Sequence, residues 1–157
     1  MQVRTYTDPR DLQVYRTIKM GETTWPYENL RFDTHKIGQL CRAYGHNPQN
    51  VHTHGLLYTW DVARKACPPG WRLPTKEEWE VWTAHFFPEY FGGVYSPEGE
   101  CMGIDVRAMY WSSEAMEHTA WARVFRHPHT LGLEKNTTDQ LLVDKRTAMS
   151  VRCVRED

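Results

Sequence analysis

Two motifs, at residues 58–79 and 150–154, constrain the fold of this 157-residue chain more than any other feature. The first reads YTWDVARKACPPGWRLPTKEEW and the second reads SVRCV. In the first motif, Cys67 stands just before the Pro-Pro-Gly run at 68–70, which ends a helix because proline lacks a backbone donor. The capping box at 75–78 then begins a second helix. The motif therefore predicts two short helices separated by a sharp turn, the first over about 60–66.

Hydrophobic spacing assigns the rest of the chain to strands and loops. Trp79, Trp82 and Phe86 recur at helical spacing and predict an apolar stripe that enters the core. Residues 33–55 and 88–108 are rich in glycine, proline and polar residues and are interpreted as long loops. Short segments with the alternation typical of strands make up most of the remainder, at 13–19, 23–30, 109–112, 120–126, 131–134, 141–143 and 148–154.

The order of these elements predicts an α+β fold in a single domain over residues 1–157, with helices before most of the antiparallel strands. Pro26 places its strand at a sheet edge or at a strand end. Alternation in the strand at 120–126 puts Trp121, Arg123 and Phe125 on one face.

Composition excludes several classes of function. Nineteen basic and twenty acidic residues leave a net charge of −1, which disfavours binding to nucleic acid or to an anionic membrane. The chain has no apolar run long enough to span a membrane. Its polar N-terminus is not a signal peptide, so either the protein stays inside the cell or an export signal has been removed. Aromatic residues make up 13%, which suits a dense core and also sugar or partner binding.

Several motifs in order resemble the Fibrobacter succinogenes major paralogous domain. They are the segments 8–21, 24–30, 55–79, 110–114 and 150–154. The family is similar to the C-type-lectin fold and to the formylglycine-generating-enzyme domain. The resemblance implies two helices packed on a twisted, mainly antiparallel sheet, long loops on one side, and termini that meet in a sheet. Its members are mostly exported or cell-surface proteins of undefined biochemical function, so the resemblance implies an exported or surface location and indicates the fold far more than the function.

The resemblance also implies a disulfide between Cys67 and Cys153, which joins the first helix to the last strand. Many relatives pair a cysteine near position 41 with one that is absent from this chain at 47–55. Cys101 is then the remaining partner, and a second disulfide between Cys41 and Cys101 is a hypothesis.

Metal and cofactor chemistry is disfavoured, and we expect neither a metal site nor a cofactor. The histidine pairs at 52 and 54 and at 127 and 129 would place two imidazoles on one side of an extended chain, but neither has a neighbouring carboxylate or thiol at ligand spacing. The sugar-binding triplets of calcium-dependent lectins are absent. A copper oxidase like the formylglycine-generating relatives would need two reduced, accessible thiols, which only Cys41 and Cys101 could supply.

The favoured interpretation is a non-enzymatic module that binds a protein or carbohydrate ligand through its late strands and long loops. The aromatic and basic composition there is typical of binding hot spots. The alternative for this region is that Trp111 and Phe125 belong to the core and that its charged side chains are simply solvated. The alternatives are the copper oxidase and a structural module of a larger surface assembly. The residues predicted to contact the ligand are Trp121, Arg123, Arg126, His127 and His129.

Overall fold

The computed structural model of the protein describes residues 2–127 and 137–157. Within these ranges a first group of strands is followed by the α-helices, and the remaining strands come after the helices. Two short 3-10 helices, at Thr34–Ile37 and Tyr44–His46, precede the first α-helix. The strands and α-helices are β1 (Val3–Thr7), β2 (Val14–Met20), β3 (Thr23–Pro26), α1 (Pro48–His54), α2 (Trp60–Ala66), α3 (Lys76–Thr83), β4 (Gly92–Tyr95), β5 (Cys101–Ile104), β6 (Arg107–Ala115), β7 (Thr119–Arg126), β8 (Thr137–Asp144) and β9 (Arg155–Glu156). The predicted α+β class, with mainly antiparallel strands, is confirmed.

The first sheet has the strand order β1-β2-β3-β9, and all of its pairings are antiparallel. β2 alternates in burial along most of its length, as a strand with one face on a core does. Pro26 is the last residue of β3, which agrees with the prediction that it marks a strand end. The sheet contains both the first and the last strand, at its two opposite edges, so both chain ends lie in one sheet, as the resemblance implied.

The second sheet has the order β6-β7-β8 and carries apolar residues on both faces. Ala122 and Val124 of β7 pack into one core cluster with α2, whereas Phe125 packs into a second cluster under α3. The second cluster is aromatic, and the ring of Trp79 lies 4.9 Å from that of Trp25 and 5.1 Å from that of Tyr110, measured between centroids. β6 and β7 are therefore largely buried, whereas the edge strand β8 remains partly exposed.

Helix α3 begins where the sequence predicted. The Thr75 hydroxyl accepts a hydrogen bond from the Glu78 amide at 3.1 Å, and a Glu78 carboxylate oxygen accepts one from the Thr75 amide at 2.8 Å. This reciprocal pair satisfies two of the amides that a helix start leaves without partners. Trp79 and Trp82 are buried on the side of α3 that faces the sheet, so the predicted apolar stripe is confirmed.

The two predicted long loops were wrong in part. Residues 33–55 contain α1, which Asn47 caps through its side-chain oxygen and which has Pro48 in its first turn. Residues 88–108 contain the hairpin β4–β5, in which Gly93 and Gly103 adopt positive φ values of 67° and 86°. Polar and glycine-rich composition here reflects capping and tight turning rather than a lack of regular structure.

The predicted closing strand at 148–154 is also different in the structure. It forms isolated bridges with four separate partners, since Ala148 pairs with Tyr95, Met149 with Tyr58, Ser150 with Tyr110, and Val154 with Arg72. Because the segment changes neighbours at almost every residue, it threads between elements, and its residues from 147 to 154 are all buried. The predicted strand at 131–134 lies outside the described residues.

Cys67 and Cys153 form the predicted disulfide, with their Cα atoms 5.8 Å apart. It joins the end of α2 to the segment that leads into β9. The second predicted disulfide was wrong, because Cys41 and Cys101 are both free thiols. None of the helices in the described ranges has the length and apolar character that a membrane crossing needs.

Candidate functional site

The face of β7 that was predicted to bind a ligand is covered by α3. Trp121, Arg123 and Phe125 do share one face, as the alternation predicted, but each contacts α3. The Lys76 ammonium lies 3.4 Å from the centroid of the Trp121 ring, and the Arg123 guanidinium donates to a Glu80 carboxylate oxygen at 2.6 Å. Only 4% of Arg123 is exposed to solvent, so little of this side chain is accessible for the predicted ligand contact.

The other predicted ligand residues do not join this face. Arg126 pairs with Asp139 of β8 at 2.9 Å. His127 lines a separate cleft with Asp105, and its ring lies 5.3 Å from that of Phe91. His129 lies outside the described residues. The described members of the predicted set are therefore distributed over three different surroundings.

The predicted histidine pair at 52 and 54 does not lie on an extended chain. Both residues belong to α1, where positions two apart point to different sides of the helix. His52 is exposed, whereas His54 is buried with its ring 6.0 Å from that of Tyr90. Burial lowers the pKa of His54 below its ordinary value, and the charge of Asp105 partly opposes this shift.

A cleft of about 430 Å³ opens between the end of β3, α1 and the segment that follows α3. Aromatic rings form much of its wall. Phe86 makes ring contacts with Trp82 and with Tyr27, at centroid distances of 5.6 and 6.2 Å. Tyr90 is 51% exposed and contributes to the lining from the far side. A volume of this size is typical of sites that bind small ligands and is larger than that of a packing defect.

Arg152 lies in this cleft and is the most buried of its charged side chains. Only 8% of the residue is exposed, and its guanidinium carbon lies 5.4 Å from the Trp82 ring and 5.2 Å from the Tyr110 ring. Its Nε donates to the Asn29 side-chain oxygen at 2.9 Å. Within the described part of the chain this is the one hydrogen bond of its side chain, and no carboxylate pairs with it. The two terminal amino groups are therefore left for another acceptor.

Asn29 holds Arg152 in position. Its amide nitrogen donates to the His54 backbone oxygen at 2.8 Å, and its oxygen is thereby turned toward the guanidinium. Gly55 is required beside it, because a Cβ at that position would lie 2.9 Å from the Asn29 Cβ and 2.6 Å from the Leu30 backbone oxygen. The end of α1, β3 and the closing segment are thus fixed against one another around Arg152.

The rim of the cleft carries both signs of charge. Arg16 pairs with Glu28 at 2.7 Å, and Glu89 is an exposed carboxylate on the lining. Acceptors and donors are therefore both present near the opening, while the deep charge is positive. A ligand with one anionic group and several neutral polar groups would meet a partner for each.

Sequence reasoning missed this cleft because its parts looked structural. Arg152 stands in the SVRCV motif between Val151 and Cys153, which are both buried in one cluster. Alternation turns the residue between them to the opposite side, toward the aromatic cluster of Trp82. A charged residue in an otherwise apolar closing segment was the available signal, and without the fold nothing connected it with Asn29.

The two free thiols have different neighbours. Cys41 lies beside Thr34 and Asp33, and Cys101 lies beside Tyr44. The copper oxidase alternative requires two thiolates that bind one ion. In the structure the two thiols contact different residues, and no disulfide joins them.

Comparison with known proteins finds a family that is similar to part of the chain. The family described as the Fibrobacter succinogenes major domain has a model that matches residues 18–86. No curated protein and no solved structure matches the chain. The matched region runs from β2 through α3 and includes Asn29 and Trp82, whereas Arg152 lies beyond it. Residues 18–86 are therefore similar to the Fibrobacter succinogenes major domain family, which is the family that the sequence motifs resembled.

Proposed function

We propose that the protein is a non-enzymatic recognition domain of a bacterial surface that binds a carboxylate-bearing sugar of a glycan in the Arg152 cleft. The observation that carries this proposal is the buried guanidinium of Arg152, which lines an open cleft and lacks a carboxylate partner among the described residues. The site replaces the late-strand surface that the sequence suggested.

The energetics of a buried charge favour an anionic ligand. Removing an arginine from water is costly unless hydrogen bonds and an opposite charge compensate. Here two aromatic faces and one amide oxygen provide partial compensation. A carboxylate in the cleft would accept two parallel hydrogen bonds from the terminal amino groups, which is the geometry that the planar guanidinium favours.

The remaining lining suits a sugar. The apolar surface on which a sugar ring could pack comes from Phe86, Tyr27 and Tyr90. Acceptors for the sugar hydroxyl groups come from Glu28 and Glu89. The cleft is formed before any ligand arrives, because Asn29 and Gly55 fix the position of its deepest charge. Preformed sites lose less conformational entropy on binding.

The disulfide supports a location outside the reducing cytosol. A bond between Cys67 and Cys153 persists in oxidising compartments such as the periplasm or the cell surface. We infer that the protein is exported, which places the cleft where it can meet extracellular glycans.

Calorimetric titration with oligosaccharides tests the proposal. We expect a uronic-acid oligosaccharide to bind, and the neutral oligosaccharide of the same linkage to bind at least tenfold more weakly. R152K should weaken binding by roughly tenfold, because lysine keeps the charge but loses the two-pronged hydrogen bonding. R126K is the matched control, since Arg126 pairs with Asp139 elsewhere.

A second variant tests the cleft without altering its buried charge. Tyr90 is exposed on the lining, so Y90A should preserve the fold and weaken binding of the acidic sugar. Equal affinity for acidic and neutral oligosaccharides would contradict the proposal. If a peptide with a free C-terminal carboxylate bound more tightly than both oligosaccharides, the ligand would be a protein and not a glycan.

A further inference from the structure

Three side chains with different metal-binding atoms converge within the 33–41 segment. They belong to Asp33, His35 and Cys41. Asp33 Oδ1 lies 2.7 Å from His35 Nδ1 and 3.6 Å from Cys41 Sγ, and Cys41 Sγ lies 3.9 Å from His35 Nδ1. A carboxylate, an imidazole and a thiol, whose ligand atoms all lie within 4.8 Å of one another, form a mixed ligand set. The proposed sugar cleft does not use these three side chains.

The local fold brings the three together. Asp33 caps the 3-10 helix Thr34–Ile37 by accepting a hydrogen bond from the His35 amide, which fixes its carboxylate beside the His35 ring. Gly38 then adopts a left-handed conformation with φ of 73° and reverses the chain. The reversal returns Cys41 to the start of the helix, where Arg42 bridges to Leu57.

The arrangement differs from that of a nucleophilic catalytic triad. In a triad the acid and the nucleophile contact opposite nitrogens of the imidazole, so that a proton can pass across the ring. Here Asp33 and Cys41 both approach Nδ1 of His35, at 2.7 and 3.9 Å. Three donors that approach one point suit a shared cation better than a proton relay.

The separations fit a tetrahedral zinc ion. Zinc bonds of about 2.3 Å to sulfur and about 2.0–2.2 Å to nitrogen and oxygen give ligand–ligand distances of roughly 3.4–3.6 Å in a tetrahedron. The two sulfur distances, 3.6 and 3.9 Å, lie close to these values. The distance between Asp33 and His35 must open by about 0.7 Å from the observed 2.7 Å, as the hydrogen bond is exchanged for two metal bonds.

We propose that Asp33, His35 and Cys41 bind a zinc ion, with water in the fourth position. Asp33 and His35 are more than half exposed, at 55% and 56% of their side chains, so both can make the small adjustment that the ion requires. Cys41 is half-buried and packs against the core cluster, which holds its sulfur in place. Oxygen, nitrogen and sulfur donors together favour zinc over calcium or magnesium, which select oxygen alone.

Thr34 lies beside the Cys41 sulfur, and neighbouring groups of this kind orient metal ligands. Cys41 also lines a groove of about 290 Å³ together with Arg42 and Tyr95, so an ion bound to it is reachable from solvent.

Zinc titration of the intact protein tests the proposal, preceded by a chromogenic thiol count that shows Cys41 to be reduced. We expect competition with a chromophoric chelator to show one zinc ion per chain. C41S and H35A should each weaken binding at least tenfold. C101S and H52A are matched controls, because they remove the other free thiol and an exposed histidine outside the cluster.

Cobalt substitution gives an independent readout. Co²⁺ bound through Cys41 should give a sulfur-to-metal charge-transfer band in the near ultraviolet that C41S abolishes and C101S retains. Zinc binding that C41S and H35A leave unchanged would overturn the proposal, and so would a reduced protein that binds no zinc. None of these outcomes depends on sugar binding, so the two proposals fail separately.

Discussion

Removing the disulfide between Cys67 and Cys153 gives the most quantitative test of the fold. The bond closes a loop between residues 86 positions apart in the sequence. In the chain-entropy model, a loop of this length lowers the entropy of the unfolded chain by about 15 cal/mol/K, which corresponds to about 4.6 kcal/mol at 25 °C. For a domain of this size, that loss should lower the melting temperature by roughly 9–18 °C.

The cleanest comparison is between oxidised and reduced wild-type protein, because both states retain the two sulfur atoms. Denaturation in urea, followed by tryptophan fluorescence, measures the free energy of unfolding of each state. The doubly substituted C67A/C153A protein should match or fall below the reduced wild type, since Cys153 is buried and its sulfur also packs in the core. C41A/C101A should unfold like the oxidised wild type, because those thiols form no disulfide.

A difference below about 1 kcal/mol between oxidised and reduced protein would refute the reasoning. It would mean that the unfolded chain is already restricted without the bond, or that burial of the 147–154 segment fixes the chain ends without it. A C41A/C101A protein that lost several kcal/mol would instead show that the wrong pair of cysteines had been assigned.

Two further predictions follow from the buried charges. R123A should lower the free energy of unfolding by about 2 kcal/mol, because it removes a buried side chain between β7 and α3. R126A removes one member of a half-exposed ion pair and should lower it by about 0.5 kcal/mol. Urea denaturation measures both losses, and equal losses would show that α3 does not cover this face. The folded state holds the pKa of His54 below the unfolded value of 6.5, so the unfolded chain binds more protons and stability should fall as pH drops through and below 6.5. H54Q should flatten the melting temperature between pH 5 and 7, and an unchanged slope in H54Q would assign the titration to another group.

Local patterns predicted the elements whose structure depends on nearby residues. The capping box of Thr75 and Glu78 fixes the start of α3, and the stripe of Trp79 and Trp82 fixes the side that is buried, because both signals act within a few residues. The disulfide was also found early, but from a family resemblance rather than from spacing. These are the parts of the fold that sequence alone could supply.

The candidate sites depend on contacts between distant segments, which no local pattern contains. Arg123 has the alternation of a surface-facing strand residue, yet α3 closes over it and provides Glu80 as its partner. Arg152 finds its acceptor on Asn29, and the two stand at opposite ends of the chain. Periodicity assigns a residue to a face of its own element, but only tertiary packing decides what that face meets.

The antiparallel order β1-β2-β3-β9 has a consequence for how the domain can be joined to other chains. β1 and β9 run in opposite directions across the sheet, so the chain enters and leaves it at the same end. Three strand spacings of about 4.8 Å separate the entry and exit points by roughly 14 Å. A linker of about five or six residues would span that gap, so the domain is suited to circular permutation and to insertion into a surface loop of a host protein.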